Sequence, residues 1–596
     1  MGDRSILPGS VLTRGRVSLV VLAVAALVAG LVPSAGAQQR GERVDYWLTV
    51  LHHNDGESQL LNAGAGLEDY GGVARFATLV KQLRKEATTG RSELKGRRGA
   101  VLISSGDNYL AGPEFSVSLR KGPPFYDAIT FDLLDYDAIT IGNHEFDFGP
   151  DVFADFIESF GDPPPFISAN LDVSAEPRLA ALADKGIIVG ATVVRERGEK
   201  IGIVGATTPA LRSISSPRDV VVDPDVADAI QAQVDALTAQ GIDKIIVSSH
   251  LQSVEEDIEL AGLLDDVDIM IAGGGDELLA NPGDLLLPGD EADVYGPYPL
   301  LADDVDGDTV PIVTGRGGYT YVGELIVGFD RDGEIVAIAD ESGPNRVSGV
   351  GPDAVAPDRQ VQRRVVDPVT EALAGLAENV VATSQVDLDG RRSVVRGTES
   401  NEGNLIADSL LWQATQLADE FGVDTPQVAL QNGGGIRNDS IIPAGSITEL
   451  QTFDMVPFPN FVSVVEDVPR DVFLALLENA YSRIEFGDGR FAQIAGFRVV
   501  VDPSAPAGDR VVSATLDDGT ALVTGGAVVP GDPIDVATID FLARGGDDYP
   551  FGDLPFTTLG VVQQQALLNY LEQGLGGVIT AADYPLGGEG RIDLTP

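Results

Sequence analysis

Asn143-His144-Glu145-Phe146-Asp147 gathers an amide, an imidazole and two carboxylates within one short stretch. Comparable groups recur along the chain: Asp55 and Glu57 in "HHNDGE", Asp107 in "SSGDNY", His250 in "SSHLQS", and "GGGDE" at 273–277. Carboxylate oxygens, an amide oxygen and imidazole nitrogens make a mixed donor set suited to divalent cations. Taken singly each is ordinary, because an aspartate after a strand is commonly a turn or a helix cap. The ordered succession of such loops is what a metal centre assembled from strand ends would need.

Apolar runs precede these groups. "YWLTVL" (46–51) leads to Asp55, "AVLISS" (100–105) to Asp107, "YDAITIG" (136–142) to Asn143, "KIIVSS" (244–249) to His250 and "VDIMIAG" (267–273) to the glycine-rich group; "IGIVGA" (201–206) reads as a further strand. "GVARFATLVKQLRKEA" places Val73, Phe76, Leu79, Val80 and Leu83 on one helical face. Strand–helix alternation of this kind predicts a layered α/β fold, whose ligands collect at the carboxyl ends of the strands. The Pro- and Gly-rich stretch 340–360 reads as a linker, and "VQRRVVDPVTEALAGLAENV" as a helix bridging to a second domain. Beyond it, "NLIADSLLWQATQLADEF" (404–421) puts Ile406, Leu410, Ala414, Leu417 and Phe421 on one helical face. "DDVDGD" (303–308) lacks the distal glutamate of a calcium loop and reads as a solvated turn.

At 596 residues the chain exceeds one ordinary core, so two or more domains are expected. It has no cysteine, which excludes a disulfide framework and thiol chemistry. Arg4, Arg14 and Arg16, the apolar run "LVVLAVAALVAGLV" and the Ala35-Gly36-Ala37 site form a tripartite signal peptide over 1–37, so a secreted or cell-envelope protein without a membrane span is expected. Asp and Glu number 91 against 40 Lys and Arg, a net charge of −51 that disfavours nucleic-acid polymers and anionic membranes as partners.

The blocks "LHHNDGE", "GDNYLAG", "GNHEFDFG" and "SSHLQS" resemble the metallophosphoesterase domain of the 5'-nucleotidase family. "ESNEGNLIADSL", "NGGGIRNDSI", "VPFPNF" and "DFLARGGDDY" resemble that family's C-terminal substrate-binding domain. The resemblance implies a metallophosphoesterase domain at 38–345, a connecting helix at 346–372 and an α/β C-terminal domain at 373–596, with relative rotation of the two domains about the connector. It implies two divalent metal ions, Asp55 ligating one, Asp107 bridging both, and Asn143 and His250 ligating the other. His144 would act on the transferring phosphoryl oxygen or the leaving group, with Asp147 orienting its ring. Arg396, Asn432 and Arg437 would contact the substrate, Phe458 and Phe541 would sandwich a base, and Asp547 would contact sugar or ring.

Two blocks depart from the family pattern. Glu57 stands where the first block usually has histidine, and Gly275-Asp276-Glu277 stand where the last usually has a histidine pair or His and Gln. One reading is a metal-free homologue that only binds nucleotides. The other is a centre in which Glu57 and Glu277 replace imidazoles, shifting preference from Zn²⁺ toward Mn²⁺, Mg²⁺ or Ca²⁺. The second is favoured because carboxylates are competent ligands and His144 and Asp147 remain. The expected activity is hydrolysis of nucleoside 5'-monophosphates or related phosphate esters. Alternatives are nucleotide-sugar or cyclic-nucleotide hydrolysis, a silent nucleotide-binding surface protein, and an acidic calcium-binding structural protein.

Overall fold

Alternation along the first strand, Tyr46–His53, sets the layers. Leu48 and Val50 point into a core between two sheets, while Leu51 points into a core beneath helices. In this computed structural model, residues 43–89, 94–275, 277–552 and 554–594 are described. The expected signal peptide and Asp276 lie outside the described residues.

The first sheet runs Ile335–Ile338, Tyr321–Phe329, Tyr46–His53, Arg97–Ser104, Ala138–Thr140, Phe166–Ile167, Ile188–Val189, its strands parallel from Tyr46–His53 onward. The second runs Leu300–Asp303, Thr309–Val313, Ile269–Ile271, Ile245–His250, Glu199–Thr207, Ala191–Glu196. Ile201, Ile203, Ile246 and Ile269 of the second meet Leu48, Val50, Val101 and Ile103 of the first in a buried apolar core. Helices cover both outer faces. Val73–Thr89 buries Val73, Phe76, Leu79, Val80 and Leu83, the face its periodicity predicts, and Val226–Thr238 lays Ile230 and Val234 on the second sheet. The result is a helix–sheet–sheet–helix stack.

The stretch expected as a linker is built into this stack. Gly343–Arg346 pairs antiparallel with Tyr321–Glu324, and Arg346 Nε is 2.7 Å from Asp353 Oδ2. The bridging helix follows in three segments, Arg359–Val361, Gln362–Val366 and Asp367–Glu378. Pro368 has no N–H to give the preceding turn, which is accordingly wide. Val361, Val365 and Val369 bury in the same core as Phe76.

The remainder has its own sheets and core. The order Ala492–Ala495, Val428–Asn432, Ile534–Ile539, Phe461–Val468, Phe556–Val562 makes a mixed five-stranded sheet against Asn401–Phe421. That helix starts at Ser400, whose Oγ accepts from Gly403 N, and stops at Gly422 in the left-handed region at φ 68°. Ala418 takes the buried position near its end, and Phe421 is 39 % exposed. The 303–308 segment is an exposed turn in which Asp304 Oδ1 accepts from the backbone N–H groups of Asp306, Gly307 and Asp308. No helix among the described residues is long and apolar enough to cross a membrane.

Candidate active site

Parallel strands all end on one side, and the loops after them converge. Asp55, Asp107 and His250 each offer a ligand atom within 4.8 Å of the others, all three buried. His250 Nε2 lies 3.0 Å from Asp107 Oδ2 and 3.2 Å from Asn143 Oδ1, while its Nδ1 meets Ser105 O at 2.6 Å. Asp55 and Asp107 both adopt left-handed backbone, φ 51°, which aspartate tolerates better than most residues. Asp55 Oδ2 accepts from Asn54 Nδ2 at 2.5 Å and from Gly274 N at 3.2 Å.

The charges in this cluster are strongly coupled. Burial pushes the Asp55 carboxyl up, reinforced by Asp107 and opposed by His250. Burial pushes Asp107 up too, but the His250 and His144 rings outweigh it and hold Asp107 below the ordinary carboxylate value. Burial would lower His250, and Asp107 reverses the sign, holding its proton well above the usual imidazole range. Two carboxylates and an imidazole thus crowd around one point that wants positive charge, which is the chemistry of a divalent-cation site.

His144 stands beside the cluster at the start of a short turn. Its Nδ1 is 2.6 Å from Asp147 Oδ2, its Nε2 is 3.7 Å from Asp107 Oδ2, and its backbone N donates to Asp107 Oδ1 at 2.7 Å. Burial would lower the ring, but Asp147 and then Asp107 raise it well above its ordinary value. Its side chain keeps 25 % exposure, opening onto a cavity of about 460 Å³.

The far wall of that cavity comes from the C-terminal half. Arg396, Asn432, Arg437, Phe458, Phe541 and Asp547 all line it, together with Asn143, His144 and Asp147. Asn432 Nδ2 donates to Asp547 Oδ2 at 2.6 Å, and the Arg437 guanidinium lies 5.1 Å from the Phe458 ring centroid. Arg396 Nε is buried without a hydrogen-bond partner among the described residues. Burial, and then the neighbouring Arg392, lower the affinity of both Arg396 and Arg437 for their protons. With Arg544, itself paired to Asp540 at 2.9 Å, these arginines bring three cations to a hollow that Asp147, Asp540 and Asp547 also line.

The two departures from the family pattern sit differently. Glu57 lines a second cavity of about 290 Å³ with Asp55, Gln59 and Arg316, and its charge helps hold the His144 proton. The Glu277 carboxylate folds over Gly275, at the position a Cβ there would occupy. Neither belongs to the tight group of Asp55, Asp107 and His250. Of Gly274 and Gly275 it is Gly274 that meets the cluster: at φ 88° its N–H donates to Asp55 Oδ2, and a Cβ on it would lie 3.1 Å from His250 Nε2.

Other contributors carry weaker sequence signals. Glu145 accepts from Asp107 N, Asn108 N and Gly142 N at 3.1, 2.9 and 2.7 Å, stapling two of the loops together. Gln252, two residues after His250, donates to Asn143 Oδ1 at 3.2 Å. Ser215 Oγ donates to Asp147 Oδ1 at 2.8 Å, and Arg544 lines the cavity. Glu145 and Gln252 lie within quoted motifs, whereas nothing in the sequence around Ser215 marks it. His52 and His53 stay out of the cluster because strand alternation sends them into the two cores. His52 Nε2 meets Tyr298 OH at 2.8 Å, His53 packs edge-on against Phe76, Phe131 and Tyr136, and burial lowers both to about 3.

Residues 380–553 match the family model for the 5'-nucleotidase C-terminal domain. A solved 5'-nucleotidase precursor from Thermus thermophilus is 32 % identical, covering 92 % of this chain and 100 % of that one, with a TM-score of 0.64. The 5'-nucleotidase of Homo sapiens is 29 % identical over 549 residues, 88 % of this chain and 86 % of that protein. The 5'-nucleotidase of Diplobatis ommata is 29 % identical over 522 residues, 85 % and 84 % of the two chains. Fold and site together define a phosphoester hydrolase of the layered α/β, metallophosphoesterase class. Within that class, the chain belongs to the 5'-nucleotidase family.

Proposed function

We propose that the protein is a secreted, metal-dependent enzyme that hydrolyses nucleoside 5'-monophosphates or closely related phosphate esters. The observation that carries this reading is one cavity with His144 and Asn143 on one wall and Arg396, Arg437, Phe458 and Phe541 on the other. Such a hollow fits a nucleoside at one end and its phosphate at the other. The proposed domains are 38–345 and 373–596 with the connector 346–372 between them, and the separate cores around Phe76 and Leu410 support that division.

The donor set fits divalent cations, since Asp55, Asp107 and His250 are buried together and, among the described residues, the cations that act on these carboxylates are the His250 and His144 rings. Asp55, Asp107, Asn143 and His250 would hold two ions, with Glu57 and Glu277 as further carboxylates that favour Mn²⁺, Mg²⁺ or Ca²⁺ over Zn²⁺. When bound, such ions neutralise charge developing on the phosphate and make water a nucleophile at neutral pH. The P–O bond to the nucleoside breaks, a P–O bond to the water oxygen forms, and the departing alkoxide needs a proton. His144 would hold that proton at Nε2, a role supported by Asp147 engaging Nδ1. Arg396 and Arg437 supply planar donors for phosphate or ribose oxygens. Phe458 and Phe541 offer aromatic faces to the base, worth about 1–3 kcal/mol each.

The test is phosphate release from AMP across Mn²⁺, Mg²⁺, Ca²⁺ and Zn²⁺, with the metal content of the isolated protein measured alongside. His144→Ala and Asp107→Ala are expected to lower turnover by about a hundredfold or more. A wild-type protein that binds AMP but turns over no phosphoester with any of these ions would instead be a nucleotide-binding protein.

A further inference from the structure

Between His144 and Phe541 the cavity wall is made by Ile214, Ser215 and Ser216, a segment to which the motifs assign nothing. We propose that Ser215 and Ser216 form one positioning unit, Ser215 aiming the Asp147–His144 pair and Ser216 tying that aim to the nucleoside-binding turn at Asp540–Arg544. The inference rests on the reading of His144 and Asp147 as the proton-handling pair.

The backbone explains how two neighbouring serines serve opposite sides. Ser215 follows the helical turn Leu211–Ile214 and is extended, φ −148° and ψ −172°, with its N–H held by Leu211 O at 3.0 Å. Pro217 disfavours helical geometry at Ser216 as well. In extended chain, successive side chains point opposite ways. Ser215 Oγ therefore reaches Asp147 Oδ1 at 2.8 Å, while Ser216 Oγ turns to the C-terminal half.

Each hydroxyl has one proton, and each is committed. Asp147 is 6 % exposed, with Oδ2 on His144 Nδ1 at 2.6 Å and Oδ1 on Ser215. Without the Ser215 hydroxyl, a buried carboxylate oxygen loses its donor, and among the described residues only the His144 ring still hydrogen-bonds the Asp147 carboxylate. Ser216 Oγ donates to Asp540 Oδ2 at 3.3 Å and accepts from Arg544 Nη2 at 3.2 Å. Asp540 is itself fixed, its Oδ1 accepting from Phe461 N at 2.9 Å and Phe541 N at 3.0 Å, its Oδ2 pairing with Arg544 at 2.9 Å. Because Phe541 is the next residue and lines the cavity, a displacement of that turn is felt at Ser216 and, one peptide further, at Ser215.

The experiment compares Ser215→Ala, Ser215→Thr and Ser216→Ala with wild type, using AMP and p-nitrophenyl phosphate, which has no nucleoside. Ser215→Ala is expected to lower kcat roughly 10–100-fold on both substrates with KM nearly unchanged, as loss of an orienting partner does. Ser215→Thr, which restores the hydroxyl, recovers most of that loss. Ser216→Ala is expected to lower kcat/KM for AMP more than for p-nitrophenyl phosphate. A readout independent of turnover is the low-field proton resonance of the His144 Nδ1–Asp147 pair, assignable because the chain has four histidines. It should persist in Ser215→Thr and be lost or shifted in Ser215→Ala. An unchanged resonance in Ser215→Ala, with kcat within twofold of wild type, overturns the inference. If His144→Ala is inactive while Ser215→Ala is not impaired, only this inference falls. If His144→Ala keeps full turnover, the underlying reading falls with it.

Discussion

Four histidines in one chain meet two fates, and the difference lies in what touches them. Burial lowers His52 to about 3 and, with the His52 ring beside it, His53 likewise, so they are neutral packing groups at any ordinary pH. His144 and His250 are buried as well, but carboxylates beside them reverse the sign. Glu402 is the carboxylate counterpart of the first case. Its Oε2 accepts from Asn438 Nδ2 at 3.3 Å, its Oε1 has no partner among the described residues, and burial pushes it up to about 8. The folded state therefore keeps this proton up to about pH 8, whereas the unfolded chain releases it near the ordinary value of about 4.3. Between those values the unfolded state binds fewer protons, so stability falls as pH rises. Glu402→Gln keeps the shape and removes the titration. Its melting temperature relative to wild type is expected to climb from pH 5 to pH 8, and parallel melting curves across that range would show that Glu402 does not carry the proton.

Turns, more than strands, decide whether the donors meet. Gly274 shows this most sharply: at φ 88° it adopts a backbone that L side chains rarely take, and a Cβ there would overlap Leu251 O and approach His250 Nε2 to 3.1 Å. Gly274→Ala should therefore push the loop off Asp55 and weaken Mn²⁺ binding by about tenfold or more in calorimetric titration, in the range seen when ligand-supporting groups are lost. Gly64→Ala is the control, since it shares a positive φ of 98° but has open space around its Cβ position, so only local strain is expected. Equal metal affinity in the two variants would remove Gly274 from the site. Strands and principal helices are legible from the sequence because period 2 and period 3.6 are local signals, as Val73–Thr89 shows. Asp55, Asp107, Asn143 and His250 are legible for the same reason, as polar residues just past apolar runs. Gly343–Arg346 is not, because a strand of Gly, Pro, Asn and Arg carries no apolar alternation and is specified by its partner Tyr321–Glu324. Ser215 is hidden too, since its partner Asp147 lies 68 residues away. The backbone turn that selects Gly274 over Gly275 depends on Leu251 and Asp55, both far off in sequence.

Across the whole molecule, acidic groups outnumber basic ones by 91 to 40, yet burial and then Arg392 weaken the hold of Arg396 and Arg437 on a proton, and Arg437 adds to the effect on Arg396. Asp547 and Asp488 offset part of that repulsion at Arg396, and a phosphate bound there would offset more. The same balance makes two kinds of cation effect separable. Monovalent salt screens the diffuse repulsion of an acidic surface over a Debye length of about 10 Å at 0.1 M, and should raise the melting temperature of any variant that keeps the surface charge. A divalent ion held by Asp55, Asp107 and His250 adds stabilisation by mass action, growing with the logarithm of its concentration above Kd. Millimolar Mn²⁺ is therefore expected to raise the wild-type melting temperature beyond KCl of matched ionic strength. Asp107→Asn should retain the KCl response and lose the excess, because it removes the carboxylate charge at the centre of the cluster and leaves the surface nearly unchanged. If Mn²⁺ and KCl stabilise the wild type equally at matched ionic strength, the cluster is a set of buried hydrogen bonds rather than a metal site, and the proposed metal dependence fails independently of any choice of substrate.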